Sequence, residues 1–248
     1  MLTVGVGSAA AITGGEPDNG RHPQVGLVVF YDAAGAPIHR CSGTLLAAKL
    51  FLTAGHCTFG MASAQVWFDD EVTTASGYPF TGGVEGTPYT HPEFEFVLPN
   101  TSDVGVVVLS KAVRGVTYAT LAPLGYLDTL ATRKGTQDLS VTNVGYGLQE
   151  VVPNLQADRV RYLSRSKIVD LRSALTDGFN VHTKADAGGG NDTGGTCFGD
   201  SGGPVFANDT LSIVGITSFG LNENCTGAAY AYRADIENTQ DFVSQFLG

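Results

Sequence analysis

Cations are scarce in this chain: 14 lysines and arginines stand against 24 aspartates and glutamates among 248 residues, a formal net charge of −10. Nucleic acids are held by clustered cations that displace counterions from phosphate. The balance therefore argues against a nucleic-acid partner and for a solvated acidic surface. No apolar run approaches the ~20 residues that a membrane-spanning helix requires, so no membrane role is expected. Charged residues make up only 15% of the chain and hydrophobic ones 43%, which argues against disorder. There are four cysteines and no Cys-x-x-Cys pair, so zinc-ligand spacing is missing and no metal is expected. The cysteines fall into two groups, Cys41 with Cys57 and Cys197 with Cys225, which favours disulfides in an oxidising compartment.

Glycine, by contrast, is abundant at 33 residues, in keeping with many tight turns. Short β-like runs recur at Val25–Tyr31, Val66–Phe68, Val104–Leu109, Leu139–Tyr146, Val205–Ala207 and Leu211–Ser218, separated by Gly, Asn, Asp and Pro. The pattern predicts an all-β barrel or sandwich. Asn208-Asp209-Thr210 reads as a hairpin turn, residues 110–126 as a linker, and the glycine-rich stretch 188–195 as loop. Ile236, Val243, Phe246 and Leu247 share one helical face behind Asp235, which is placed to cap a C-terminal helix. At the other end, apolar Leu2–Val6 precedes the small residues Ser8-Ala9-Ala10-Ala11, so residues 1–11 read as a signal or propeptide remnant. Asp69-Asp70-Glu71 reads as a solvated acidic loop, because three adjacent carboxylates cannot converge on one cation.

A nucleophilic serine needs a base for its proton, a group that orients the base, and donors for the oxyanion. Cys197-Phe198-Gly199-Asp200-Ser201-Gly202-Gly203-Pro204 sets a serine among glycines, where backbone N–H groups can approach a carbonyl unhindered by a Cβ. Leu52-Thr53-Ala54-Gly55-His56-Cys57 offers the base, and Thr101-Ser102-Asp103-Val104-Gly105-Val106 offers an acid at the head of an apolar strand.

In the order His, Asp, Ser, these motifs resemble the chymotrypsin/trypsin family of serine proteases. The resemblance runs from Ile12-Thr13-Gly14-Gly15 through His91-Pro92-Glu93-Phe94, Val144-Gly145-Tyr146-Gly147 and Ser218-Phe219-Gly220 to the C-terminal helix. It implies two six-stranded antiparallel β-barrels with the active site in the cleft between them, here residues 12–117 and 118–248, the second carrying the C-terminal α-helix. It implies His56, Asp103 and Ser201 as catalytic triad, the N–H groups of Gly199 and Ser201 as oxyanion hole, and no cofactor. It implies the pairings Cys41–Cys57 and Cys197–Cys225, and a mature N-terminus at Ile12 whose α-amine inserts beside Asp200. Further disulfides common among relatives near residues 168–182 are missing here.

The same resemblance assigns substrate binding to Gly195 at the pocket floor, to Thr196, Phe198 and Phe219, to the backbone of Ser218 and Gly220, and to Ala228 on the far wall. Where trypsin-like relatives carry an aspartate, Gly195 carries no charge. The expected preference is therefore for a neutral, medium-to-large apolar residue before the scissile bond (P1), with Glu223 as the one nearby acid able to favour a basic residue. The expected protein is a secreted, monomeric endopeptidase acting on proteins or peptides and open to protein inhibitors. The alternatives are a catalytically silent relative that binds through the same cleft and an esterase on the same fold.

Overall fold

The structure, a computed structural model, describes residues 12–130, 139–151, 156–185 and 194–247. After a two-residue strand β1 (Glu16–Pro17), the chain forms β2 (Val25–Tyr31), β3 (Pro37–Ala47), β4 (Leu50–Thr53), the short helix α1 (Gly55–Thr58), β5 (Ser63–Trp67), β6 (Val84–Thr90) and β7 (Gly105–Leu109). These six longer strands close an antiparallel barrel in the order β2-β3-β4-β7-β6-β5. Every residue of β2, Val-Gly-Leu-Val-Val-Phe-Tyr, is buried, so the strand is an unbroken apolar run, whereas β6 alternates between exposed and half-buried residues.

The expected linker carries the chain from one barrel to the other. Ala119 N–H donates to Leu45 O in the first barrel, and the next strand, β8 (Thr120–Leu121), lies parallel to a strand of the second. That barrel comprises β9 (Ser140–Gly145), β10 (Tyr162–Asp170), β11 (Asn180–Lys184), β12 (Pro204–Ala207), β13 (Ser212–Gly220) and β14 (Ala228–Arg233). The order β10-β11-β14-β13-β12-β9 closes through β9–β10 pairing, giving a second six-stranded antiparallel barrel. Asn208 takes a left-handed φ of 51° in the turn between β12 and β13, as the Asn-Asp-Thr sequence predicts. Most of the 188–195 stretch lies outside the described residues.

Both ends of the chain cross between the barrels. Glu16 and Pro17 pair with Leu163 and Tyr162 of β10, so the segment preceding the first barrel lies on the second. The C-terminal helix α2 (Glu237–Ser244) packs Phe242 and Val243 into the core it shares with the first barrel, and the Phe242 ring meets His91 at 5.0 Å. Asp235 does not cap this helix. Ile236 occupies the cap position, while the Asp235 carboxylate accepts hydrogen bonds from Leu127 N–H and from the buried Arg233 guanidinium at 2.7 to 2.8 Å. A buried cation two residues away outcompetes the local capping role, because leaving either charge unpaired is costly. Leu247, expected on the packing face, is exposed.

Arg161 joins the barrels more directly. Its buried guanidinium donates to Asp18 Oδ2 (2.9 Å), Val25 O (3.0 Å), Phe68 O (3.1 Å), Tyr146 Oη (2.9 Å) and the Asp70 carboxylate. Asp70 is thus an ion-pair partner rather than part of a merely solvated acidic loop.

Candidate active site

Each barrel contributes to one cleft. Strand β4 runs through Ala54 into α1, which presents His56, and the Cys57–Cys41 disulfide ties this turn back to β3. Asp103 immediately precedes the β7 region and is fully buried. His56 N–H donates to Asp103 Oδ1 at 2.7 Å, and His56 Nδ1 lies 2.8 Å from Oδ2 and 3.1 Å from Oδ1. Ser218 adds a hydroxyl donor 2.5 Å from Oδ2. Burial pushes the Asp103 pKa up, but the His56 charge and the hydrogen bonds from His56 and Ser218 more than offset this and hold it below the usual carboxylate value. An ionised carboxylate only accepts, so Nδ1 carries a proton, and in the neutral ring Nε2 keeps its lone pair.

The second barrel supplies the serine loop. Asp200 N–H donates to Cys197 O (3.0 Å), Gly202 N–H to Thr217 O (2.8 Å) and Gly203 N–H to Asp200 O (2.8 Å). Gly202 must be glycine: its φ is +78°, and a Cβ there would lie 2.0 Å from Thr53 Oγ1. Neither the Gly199 nor the Ser201 N–H has a protein acceptor among the described hydrogen bonds. Asp200 is fully buried and accepts from Gly147 N–H (2.8 Å) and Cys197 N–H (2.9 Å). Burial nevertheless pushes its pKa up to about 7, against those two bonds and the charge of Arg40.

His56 and Ser201 line a cavity of ≈ 520 Å³ together with Thr196, Phe198, Ser218, Phe219, Gly220 and Ala228, all expected at the substrate site. Gly195 is not among the lining residues. It pairs with Thr13, and a Cβ on it would meet Ala185 at 2.4 Å rather than the cavity. Glu223 does line the cavity, as do Phe96, Leu221 and Asn222, which sequence reasoning did not single out for binding. Phe96 meets Phe219 edge-on at 6.3 Å, and Phe219 stacks on Tyr230 at 4.7 Å, making an aromatic wall. An exposed phenylalanine in a loop was the available signal for Phe96.

Ile12 is fully buried and packs with Tyr162 and Val160. Joined to Ala11 it has no free α-amine, and among the described residues no ion pair reaches Asp200. The second disulfide, Cys197–Cys225, links the serine loop to the segment after β13. Cys41, His56 and Cys57 cluster closely, but the two sulfurs are bonded to each other and offer no thiolate to a metal.

The family model for trypsin matches residues 12–243. The chain belongs to the trypsin family. A trypsin from Saccharopolyspora erythraea is 31% identical over 218 residues, covering 86% of this chain and 88% of that one. Brachyurin from Leptuca pugilator is 30% identical over 198 residues, covering 75% and 77%. Among solved structures, one described as an HL collagenase superposes with a TM-score of 0.70 at 18% identity, covering 97% of each chain, a likeness of fold. These relatives support a trypsin-fold serine endopeptidase that acts on protein or peptide substrates.

Proposed function

We propose that this trypsin-family member is an active, secreted endopeptidase using His56, Asp103 and Ser201 as a triad. The observation that carries the reading is the Nδ1 contact of His56 with an ionised, buried Asp103, in a cleft that Ser201 also lines. In this chemistry Nε2 of His56 removes the Ser201 proton as Oγ attacks the scissile carbonyl. Asp103 holds the tautomer and stabilises the imidazolium. The vacant N–H groups of Gly199 and Ser201 receive the oxyanion, and His56 then returns the proton to the leaving amine. Water repeats the cycle on the acyl-enzyme.

The backbone of Ser218–Gly220 takes the substrate as an added strand. The aromatic wall of Phe219 and Phe96, with Ala228 and Leu221, favours neutral apolar residues at P1. Glu223 supports a second reading, a basic P1 residue, because among the described residues it is the only carboxylate lining the cavity. Release of the Ile12 amine beside Asp200 activates the enzyme. Two disulfides fit an extracellular setting.

Fluorophosphonate labelling of Ser201, followed by a peptide library run beside simple esters, tests the reading. Labelling with peptide turnover supports it. In the form beginning at Ile12, absence of labelling identifies a silent binding protein, and turnover of esters alone identifies an esterase.

A further inference from the structure

Ser42 sits on β3 beside Cys41, fully buried, and all its polar atoms are engaged. Its hydroxyl accepts the Tyr146 N–H at 2.9 Å and lies 2.9 Å from the Gly199 carbonyl. A hydroxyl carries one proton, and an N–H already points at its oxygen, so that proton goes to Gly199 O. The Ser42 N–H donates to Ser201 O at 2.8 Å, and its own carbonyl accepts from Thr53 Oγ1 at 2.9 Å. One residue of the first barrel therefore holds the carbonyls of Gly199 and Ser201, two residues whose N–H groups have no protein acceptor among the described hydrogen bonds.

We infer that the Ser42 hydroxyl is a positioning group for the oxyanion hole, fixing the Gly199 peptide so that its N–H faces the cleft. The inference rests on the catalytic reading above. Its physical basis is the freedom of Gly199: at φ +95° and without a Cβ, that residue has little steric preference of its own. Pinning its carbonyl to β3 removes the freedom on one side, while the buried Asp200 removes it on the other. The hydroxyl lies against Gly145, where an added Cβ would come within 3.1 Å of its oxygen. Any residue at 42 could supply the backbone bond to Ser201, but only the side-chain hydroxyl reaches both Tyr146 and Gly199. Ser42 touches no substrate atom.

The test is Ser42→Ala in the enzyme beginning at Ile12. Loss of a whole oxyanion donor typically costs ~100- to 1,000-fold in turnover, so misplacing one should lower kcat by roughly 10- to 100-fold. KM should stay within about twofold, because ground-state contacts are untouched. Inhibition by a peptide boronate, whose tetrahedral adduct places an oxygen in the hole, should weaken by the same factor as kcat. Binding of the cleaved product peptide should not change. Ser42→Gly leaves space of about one water, which can bridge the same two groups and should recover part of the loss; it also serves if the alanine variant folds poorly. The crystal structure of the Ser42→Ala variant should show the Gly199 carbonyl turned from its direction in the parent beginning at Ile12, and that of Ser42→Gly should keep it wherever a water takes the place of the hydroxyl. A kcat for Ser42→Ala within twofold of the parent, or a Gly199 carbonyl that keeps its direction in that variant, overturns the inference. If the parent itself turns over no peptide, the catalytic reading fails, yet the carbonyl direction still decides the role of Ser42.

Discussion

Arg161 Nε donates to Asp18 Oδ2 at 2.9 Å with both side chains buried, joining the segment ahead of the first barrel to the second. Asp18 also accepts from His22 N–H and lies against His22 Nδ1. Removing one member of a buried ion pair leaves the other uncompensated, a loss of about 3–5 kcal/mol. Arg161→Met should therefore lower unfolding stability by that order in urea titrations. Arg165→Met, which removes one side of the exposed Arg165–Asp209 pair, should cost less than about 1 kcal/mol. Similar losses for the two variants would show that Arg161 is not a structural rivet.

The pH dependence of that pair has a defined sign. Burial pushes Asp18 up, but the hydrogen bonds and charge of His22, with Arg161, hold it below the ordinary carboxylate value. Its stabilisation is thus complete above the unfolded value of about 3.9 and is lost as pH falls through the lowered folded value. Asp18→Asn should flatten the acid limb of the stability curve. An unchanged acid limb would mean that other carboxylates govern acid unfolding.

How far such features could be read from sequence depends on whether their cause is local. Val25–Tyr31 was legible as a strand because seven consecutive apolar or small residues suit nothing else at that length, and β2 spans those same residues. That His56, Asp103 and Ser201 come together about one cleft was legible because each sits in a short, distinctive motif. The Arg161 network was not, since its acceptors come from Asp18, Val25, Phe68, Asp70 and Tyr146, scattered across the chain. Asp235 was misread for a related reason: local rules favour a cap, and only the fold reveals that Arg233 and Leu127 claim its carboxylate. Gly195 was placed by counting along the chain, which says nothing of the direction its missing side chain would take.

Asp103→Asn isolates the role of charge in the triad. Asparagine keeps the shape but can present its NH₂ to Nδ1, which favours the wrong imidazole tautomer. The expected fall in kcat is ~10,000-fold with stability nearly kept, the behaviour of serine-protease triads generally. Ser218→Ala removes only the hydroxyl donor to Oδ2, so its effect should be far smaller and should include a raised Asp103 pKa, read as a shift of the acidic limb of kcat/KM. A loss for Asp103→Asn below about tenfold would remove Asp103 from the mechanism.

Specificity turns on Glu223. With a neutral, largely apolar cavity wall, a substrate library should rank Phe, Tyr, Leu and Met above Arg and Lys at P1, and Glu223→Gln should leave that ranking in place. A parent profile led by Arg that collapses in Glu223→Gln would instead assign the pocket charge to this residue.

Activation should leave opposite marks on two forms of the protein. With Met1–Ala11 attached, Asp200 has no ion-pair partner among the described residues, and burial pushes its pKa from 3.8 to about 7. Between those values the folded state holds a proton that the unfolded state has released. Stability must therefore fall as pH rises through this window, by roughly 4 kcal/mol in all for a shift of this size, and then level off. Asp200→Asn should abolish the slope. In the form beginning at Ile12, the freed α-amine placed beside Asp200 keeps the carboxylate ionised, and the amine acquires a raised pKa in return. Its contribution is then complete below the unfolded amine value of about 7.7–8.0 and disappears as pH rises through the folded one. The Ile12 form should thus hold its stability from pH 4 to 7 and lose stability and activity together in the alkaline range, where neutral His56 is still a competent base. Active-site titration and denaturant unfolding of both forms across pH 4–10, with termini checked by mass spectrometry, measure all of this. Equal active fractions and superimposable pH–stability curves would mean that Asp200 and the oxyanion loop are ordered without the Ile12 amine.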